Sequence, residues 1–224
     1  MWAMSLSRPT PVSAPIAFLS DVHGNLEALD AVAAELERRV VRDIYVAGDL
    51  LLGGDAPVEV FKRLQQLDAK CIRGLSDTAL VRVQPSALVP GDELQQRRAE
   101  AFERTREAVG ELALKYLERL PETLRIPMVD GGEILMVHGS PRDPTNEMSV
   151  DMSDEELRSL IDDDPADIIV CGASHVAFQR DLDGEVRVLN VGSVGASPEG
   201  RVAHYAVVTP RMESTMIEQT WVEY

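Results

Sequence analysis

Five side chains that could bind a metal ion stand just after short apolar runs of this sequence, beside glycine or serine. They are Asp21, His23, Asp49, His138 and His175. Carboxylate oxygens and imidazole nitrogens are the ligands that borderline divalent cations such as Mn, Fe, Ni and Zn take from proteins. Each pattern alone is more often a helix cap, a turn or a hydrogen-bonded histidine. Their repetition after successive apolar runs predicts a shared metal site.

The apolar runs are predicted strands of an α/β fold. Residues 16–19, 44–46 and 69–72 have the pattern of short buried strands, and the segments between them carry apolar residues at helical spacing. Asn25 is placed to cap the first helix, whose apolar positions extend to Val40. This βαβαβ order predicts a parallel sheet, and such sheets bind ligands at the carboxyl ends of their strands.

The second half of the chain is richer in predicted strands. A hairpin is expected at Asp130-Gly131-Gly132, between LRIPMV and EILMVHG. Ser153 and Glu156 form a capping box that opens a short helix, which should end before Pro165. The later strands are expected to be antiparallel, at 168–170, on both sides of Asp183-Gly184, at 202–208 and at 214–222.

A long charged helical pattern covers residues 92–120. Gly110 is a candidate break within it, and Pro121 is its stop signal. We expect this segment to be a solvated cover over the mouth of the cleft. A substrate lid is the alternative interpretation.

Composition indicates one globular domain. The chain has 224 residues, of which 45% are hydrophobic, and a formal net charge of −16. We expect a loose, proline-broken tail at 1–14, without the apolar core of a signal peptide, and a single domain at 15–224. No apolar run approaches the roughly 18 residues of a membrane span, so no membrane partner is expected. The acidic balance argues against nonspecific nucleic-acid binding.

The two cysteines indicate the compartment. Cys71 and Cys171 form no CxxC pair, and two cysteines make no disulfide framework in a chain of this length. Reduced thiols in the cytoplasm are therefore the expected state.

Six motifs in chain order resemble those of the calcineurin-like metallophosphoesterases, and more narrowly of their small bacterial phosphodiesterase branch. They are DVHGN, GD, a G-x-x-D loop, VHGSPRDP with a following NE, G-x-x-H and N-x-GSVG, between about residues 15 and 208. The resemblance implies a four-layer αββα sandwich, in which two mixed sheets are flanked by helices. It also implies hydrolysis of phosphate esters by a metal-activated water.

The resemblance further implies a ligand set for two neighbouring metals. Asp49 would bridge them, and the first metal would take all four of its family ligands from Asp21, His23, Asp49 and His175. The second metal would keep Asp49 and His138. Leu75 stands at the family's asparagine ligand and Ala173 at a histidine ligand, so the second site is predicted to be degenerate.

Other candidate residues have two interpretations each. Ser76 stands where many members of the family place a catalytic histidine. Arg142 could hold a phosphate through its guanidinium fork or form a structural salt bridge. Ser140 could line the substrate pocket or stabilise a turn. His204 is expected to have no role in the site.

Two functions are compatible with these residues. The first is a metal-dependent phosphoesterase acting on a small phosphomonoester or diester, weakened or altered by the two replacements. The second is a binding or scaffold protein that keeps the fold without catalysis, as the retromer subunit of this fold does.

Overall fold

Ten strands and five α-helices form the part of the chain that the computed structural model describes, residues 10–161 and 166–224. The strands in chain order are β1 Ile16–Leu19, β2 Asp43–Val46, β3 Lys70–Cys71, β4 Thr123–Pro127, β5 Glu133–Val137, β6 Ile168–Cys171, β7 Phe178–Leu182, β8 Val186–Asn190, β9 Val202–Thr209 and β10 Met216–Glu223. The helices are α1 Leu26–Arg38, α2 Pro57–Gln66, α3 Leu75–Arg82, α4 Glu93–Arg119 and α5 Asp154–Ser159.

The strands form two mixed sheets of five. The first has the order β10-β9-β1-β2-β3, and the second has the order β4-β5-β6-β8-β7. Strands β1, β2 and β3 pair parallel, as do β5, β6 and β8, whereas the outer pairs are antiparallel. The predicted parallel βαβαβ unit and the hairpin before β5 are confirmed. The expectation that the later strands are antiparallel is wrong for β6 and β8, because β6 pairs parallel with both β5 and β8.

Alternate side chains of β1 point to opposite faces of the first sheet, which explains the order of sheets and helices in layers. Ile16 and Phe18 belong to an apolar cluster between the two sheets, while Ala17 and Leu19 pack toward the helices on the outer face. Because both faces of this central strand are buried, its sequence is a continuous apolar run. A third cluster places α5 on the outer face of the second sheet. The four-layer αββα sandwich is thereby confirmed.

The helices follow their sequence signals with two exceptions. Asn25 accepts the backbone N–H of Ala28 at 3.1 Å and caps α1 as predicted, but α1 ends at Arg38. Val40 lies beyond the helix with φ 58° and is 67% exposed. The second exception is α3, because the segment that begins at Gly74 was expected to be a loop.

The long charged helix is confirmed as α4, and its break lies at Gly110. There φ is 66° and ψ is −179°, a conformation that glycine adopts without a steric penalty. Ser153 accepts the N–H of Glu156 in the predicted capping box of α5. Pro165, the expected stop, lies outside the described residues.

The N-terminal segment is described from residue 10 onward, so residues 1–9 of the expected tail lie outside the described part. Val12 donates its N–H to the carbonyl of Pro127 and accepts the N–H of Val129. Within the described ranges, no helix combines the length and the apolar character needed to cross a membrane.

Candidate metal centre

All five predicted ligands lie at one edge of the sandwich, where the carboxyl ends of the central strands of both sheets meet. Asp21 and His23 follow β1, Asp49 follows β2, His138 follows β5 and His175 follows β6. Backbone hydrogen bonds join neighbouring strand ends within each sheet. Gly172 donates to the carbonyl of His138, and Asp21 donates to the carbonyl of Gly48.

One group of ligand atoms surrounds Asp21. The Nε2 atoms of His23 and His175 lie 3.0 Å apart. Asp21 Oδ1 is 3.2 Å from His175 Nε2 and 3.5 Å from His23 Nε2. Three donor atoms at these separations can enclose one ion of the size of Mn²⁺ or Zn²⁺, since metal–ligand distances of about 2.0–2.2 Å place such ligands about 3 Å from one another.

Asp49 lies between this group and His138. Its Oδ2 atom is 4.0 Å from His23 Nε2, and its Oδ1 atom is 3.4 Å from His138 Nε2. Asp21, Asp49 and His138 also form a second group whose ligand atoms lie within 4.8 Å of one another. The geometry therefore brings together all five side chains, with Asp49 facing both histidine environments.

Backbone carbonyls fix the orientation of two imidazoles. His23 Nδ1 lies 2.7 Å from the carbonyl oxygen of Leu52, and His138 Nδ1 lies 2.7 Å from that of Ala47. A carbonyl oxygen can only accept, so each Nδ1 carries the hydrogen and each Nε2 presents its lone pair to the cluster. This is the arrangement of metal-binding histidines.

Unsatisfied negative charge shows that the residues fit a cation. Asp21 is fully buried, and its Oδ1 atom has no hydrogen-bond partner in the described structure. Facing lone pairs on a buried carboxylate and on oriented imidazoles are unfavourable unless a proton or a metal ion lies between them. The donor set of imidazoles and carboxylates suits a borderline divalent metal.

The pKa values of the clustered side chains agree with an excess of negative charge. Burial lowers the pKa of His23, but Asp21 and Asp49 outweigh it and raise the pKa to about 9. Burial likewise lowers the pKa of His138, and the same two carboxylates raise it above its usual range. Burial raises the pKa of Asp21, yet His175 and His23 hold it below the ordinary value. The pocket therefore favours positive charge at its centre.

Left-handed backbone is concentrated at this edge. Eight described non-glycine residues have positive φ, and five of them belong to the site. These five are Asp21 at 55°, His23 at 49°, Asp49 at 55°, Ala173 at 64° and His175 at 60°. Each such residue costs roughly 1–2 kcal/mol, and strain of this kind clusters where function requires a fixed side-chain direction.

Asp77 holds the backbone beside Asp49, a contribution that the sequence interpretation missed. Its buried carboxylate accepts the N–H groups of Asp49 at 2.9 Å, Leu50 at 3.0 Å and Gly74 at 3.0 Å. Burial, followed by repulsion from Asp49, raises the pKa of Asp77. Gly74 completes this contact, because a Cβ at Gly74 would overlap Asp49 Oδ1. The spacing G-x-x-D was the available signal.

The positions of the two replaced ligands are occupied by side chains that cannot coordinate. Leu75 begins α3 and is 52% exposed. Ala173 donates its N–H to Asp21 Oδ2 at 3.1 Å. Ser76 donates its N–H to Asp49 Oδ1 at 2.8 Å, while its buried hydroxyl has no partner among the described atoms.

The remaining candidates lie around the cluster. Ser140 is 1% exposed, and its hydroxyl donates to the carbonyl of Asp143 and accepts the N–H of Asp143, which is a turn arrangement. Arg142 is exposed, and its guanidinium makes no ion pair within the described ranges. His204 is buried on β9, 3.2 Å from Glu199, and is not one of the clustered ligands.

The expected cover, α4, approaches the site from one side. Its residues Gln95, Arg98 and Phe102 line an apolar groove with Leu52, whose carbonyl orients His23. That α4 covers the cleft mouth stays a prediction, and its role as a substrate lid stays the alternative.

Comparison with known proteins identifies a family that covers most of the chain. A family model described as a calcineurin-like phosphoesterase superfamily domain matches residues 15–213. An uncharacterised protein of Methanocaldococcus jannaschii is 25% identical over 230 residues, covering 95% of this chain and 89% of that protein.

Solved structures share the fold. A metallophosphoesterase from Sphaerobacter thermophilus has a TM-score of 0.68 and 26% identity, over 95% of this chain and 89% of that one. A putative diadenosine tetraphosphatase has a TM-score of 0.60 and 15% identity, over 95% of this chain and 96% of that one. The second likeness concerns the fold alone.

Proposed function

The chain belongs to the calcineurin-like phosphoesterase superfamily, and from this membership we propose that it hydrolyses small phosphate esters with the help of a divalent metal. The observation that carries the proposal is the buried Asp21 Oδ1 atom without a hydrogen-bond partner, facing Nε2 of both His23 and His175. A buried carboxylate oxygen that faces two imidazole nitrogens stabilises a cation placed between them.

The first metal would be held by Asp21, His23, Asp49 and His175. A divalent ion bound there supplies a Lewis acid for a phosphoryl oxygen and lowers the pKa of a bound water. In the net reaction, a water oxygen bonds to phosphorus while the bond from phosphorus to the leaving oxygen breaks. One proton of that water ends on the leaving oxygen.

The protein's own contribution is orientation. The carbonyls of Leu52 and Ala47 keep the Nδ1 hydrogens of His23 and His138 away from the reacting atoms. Asp77 fixes the Asp49 backbone, and the left-handed residues aim their side chains inward. Preorganised charge of this kind is a large component of catalysis because it needs no rearrangement during the reaction.

The second metal site is proposed to be weak. Asp49 and His138 remain 3.4 Å apart, but Leu75 and Ala173 supply no ligand atoms. A site with two protein ligands must complete its coordination with water or substrate oxygens. We therefore expect occupancy close to one metal per chain at low metal concentration, and turnover below that of an enzyme with both ligand sets.

The test combines metal content with turnover. The metal-free protein is loaded with Mn, Fe(II), Ni, Co or Zn, and bound metal is counted after desalting. Hydrolysis of 4-nitrophenyl phosphate and bis(4-nitrophenyl) phosphate is then followed, because these leaving groups need no proton from the weakly acidic Ser76 hydroxyl. Asp21→Asn should abolish both readouts. Asp55→Asn, the same change at an exposed residue, should leave both unchanged.

A scaffold role is the second candidate, favoured by the two replaced ligands. A protein that binds one metal per chain and turns over neither ester with any of these metals would support it.

For either role we propose a cytoplasmic location, supported by two free buried thiols. We also propose no nonspecific binding of nucleic acid, supported by the net charge of −16.

A further inference from the structure

We propose that the cavity beside His138 binds a second anionic group, a phosphate or carboxylate carried by the leaving group of the substrate. The inference rests on the proposed phosphoesterase function and names the class of ester that it would act on. It concerns the side of the centre where Leu75 replaces the family's asparagine ligand.

The cavity lies beside the metal cluster, because the predicted ligand His138 forms part of its wall. It has a volume of about 180 Å³ and is lined by His138, by Arg73 and Glu122, and by Leu75, Thr78 and Arg82 of α3. The carboxylates of Asp21 and Asp49 do not line it. A group leaving from the metal centre past His138 would therefore enter this space.

Arg73 is a fixed donor in the wall of the cavity. Its side chain is only 9% exposed, and Nη2 donates to Glu122 Oε1 at 2.6 Å while Nη1 donates to the carbonyl of Glu118 at 3.1 Å. The remaining donor, Nε, is buried and has no hydrogen-bond partner among the described residues. The two bonds of Nη1 and Nη2 fix the plane of the guanidinium, so its positive charge stays beside the cavity.

Arg82 supplies a free charge at the far end. It is exposed, and the described structure gives its guanidinium neither an ion pair nor a hydrogen bond. Leu75, Thr78 and Arg82 follow one face of α3 at helical spacing. Seven residues at 1.5 Å each separate Leu75 from Arg82 by about 10 Å along the axis. An anion at Arg82 would thus lie one short linker away from a phosphoryl group near His138.

Local charge selects an anion in an otherwise acidic protein. Two arginines face one glutamate in this cavity, whereas the whole chain carries a formal charge of −16. Guanidinium groups favour phosphate and carboxylate because their N–H donors match the oxygens of these groups. Leu75 provides an apolar wall between the metal end and the arginine end.

The spacing along α3 sets the reach that the leaving group needs. Leu75 and Arg82 border the same cavity and lie about 10 Å apart along the helix axis. A linker of a few carbons with one terminal phosphate or carboxylate reaches across that separation. The substrate class is therefore an ester of phosphate with a short alcohol that bears a second anion.

The experiment compares stable analogues that differ only at the far end. Binding of propane-1,3-bisphosphonate, 3-phosphonopropanoate and propylphosphonate to the Mn-loaded protein is measured by calorimetry, with a protein-free Mn titration as blank. The same compounds are tested as inhibitors of 4-nitrophenyl phosphate hydrolysis. The variants are Arg82→Gln, Arg73→Lys and the matched control Arg211→Gln. Arg211 is an exposed residue that follows β9 at the opposite edge of the first sheet.

We expect the wild-type protein to bind one of the doubly anionic compounds about tenfold more tightly than propylphosphonate, as charge-assisted hydrogen bonds allow. The preferred compound distinguishes phosphate from carboxylate. Arg82→Gln should reduce the preference to about twofold or less, Arg73→Lys should reduce it partly, and Arg211→Gln should preserve it. Equal binding of all three compounds, or a preference that survives Arg82→Gln, would overturn the inference.

The outcome separates this inference from the proposed function. If the aryl ester is hydrolysed and no preference exists, only the anion subsite is wrong. If an Arg82-dependent preference exists and no ester is hydrolysed, the subsite is supported and the phosphoesterase function is wrong. Absence of both binding and hydrolysis would overturn both.

Discussion

The Nε2 atoms of His23 and His175 lie 3.0 Å apart, although 152 positions separate the two residues in the chain and different sheets carry them. His23 is held in place by the carbonyl of Leu52, so its lone pair is committed to this contact. The pair is stable only if a positive charge lies near it, which is why these two residues are the most direct test of the centre.

Replacing one member of the pair should remove the metal. We expect His175→Ala to lower bound Mn or Zn by at least about tenfold, because the first group of ligands loses one of its three closest atoms. Metal content after dialysis against a metal buffer measures the effect. His204→Ala is the matched control, since it removes a buried imidazole outside the cluster. A loss of metal in His204→Ala equal to that in His175→Ala would contradict the assignment.

Asp77→Asn should damage both stability and metal binding. The carboxylate accepts three N–H groups, and an amide offers only one acceptor oxygen while turning an NH₂ toward donors. We expect the free energy of unfolding to fall by about 2–4 kcal/mol, from hydrogen bonds to a charged group and an unsatisfied donor. Urea unfolding and metal content at a temperature where the variant is folded give the two readouts. A variant with unchanged stability and full metal content would show that Asp77 does not position Asp49.

Restoring the two replaced ligands should strengthen the second site. We expect the double variant Leu75→Asn with Ala173→His to bind close to two metals per chain and to hydrolyse 4-nitrophenyl esters faster than the parent. Leu75 is 52% exposed, so a polar side chain there should change stability by no more than about 0.5 kcal/mol. Ala173 already has φ 64°, a region that histidine tolerates better than most residues.

The single variants provide the controls for that experiment. Each adds one ligand, so each should give an intermediate occupancy. Two bound metals without faster hydrolysis in the folded double variant would mean that the missing ligands do not limit catalysis, and the scaffold function would gain support.

Both thiols should be unreactive in the folded protein. Burial raises the pKa of Cys71 to about 12, and burial also raises the pKa of Cys171. Because the thiolate is the reactive form, a thiol reagent such as dithionitrobenzoate should label neither cysteine at pH 8 within minutes. Both should react once the protein is unfolded in guanidinium chloride. Rapid labelling of one thiol in the native protein would contradict its burial.

Much of the architecture could be predicted from the sequence because burial on both faces leaves a plain signal. Strands β1 and β6, and residues 44–46 of β2, are continuous apolar runs. Residues that follow parallel strands lie at one edge of the sheet. That reasoning places Asp21 and Asp49 in the same region before any geometry is known. The relation between β6 and β8 could not be read in this way, because the pairing direction of nonadjacent strands leaves no local mark.

The parts that sequence analysis missed depend on contacts without a residue signature. Helix α3 has few apolar residues at helical spacing, since its face with Leu75, Thr78 and Arg82 borders a cavity and not the core. The carbonyls that orient His23 and His138 belong to Leu52 and Ala47, and every residue has a carbonyl. Asp77 accepts three backbone N–H groups, and no residue type in the sequence marks those donors.

The meeting of the two sheet edges also affects the order of folding. The ligands after β1 and β2 come from the first sheet, whereas those after β5 and β6 come from the second, so no partly assembled chain contains the complete ligand set. Metal affinity therefore belongs only to the fully docked sandwich and to late, long-range contacts. A bound ion would act mainly on the rate of unfolding, since interactions that form after the transition state slow escape from the native state and leave folding speed unchanged. In this protein a bound metal would slow unfolding of the docked sandwich and would not act as a folding nucleus.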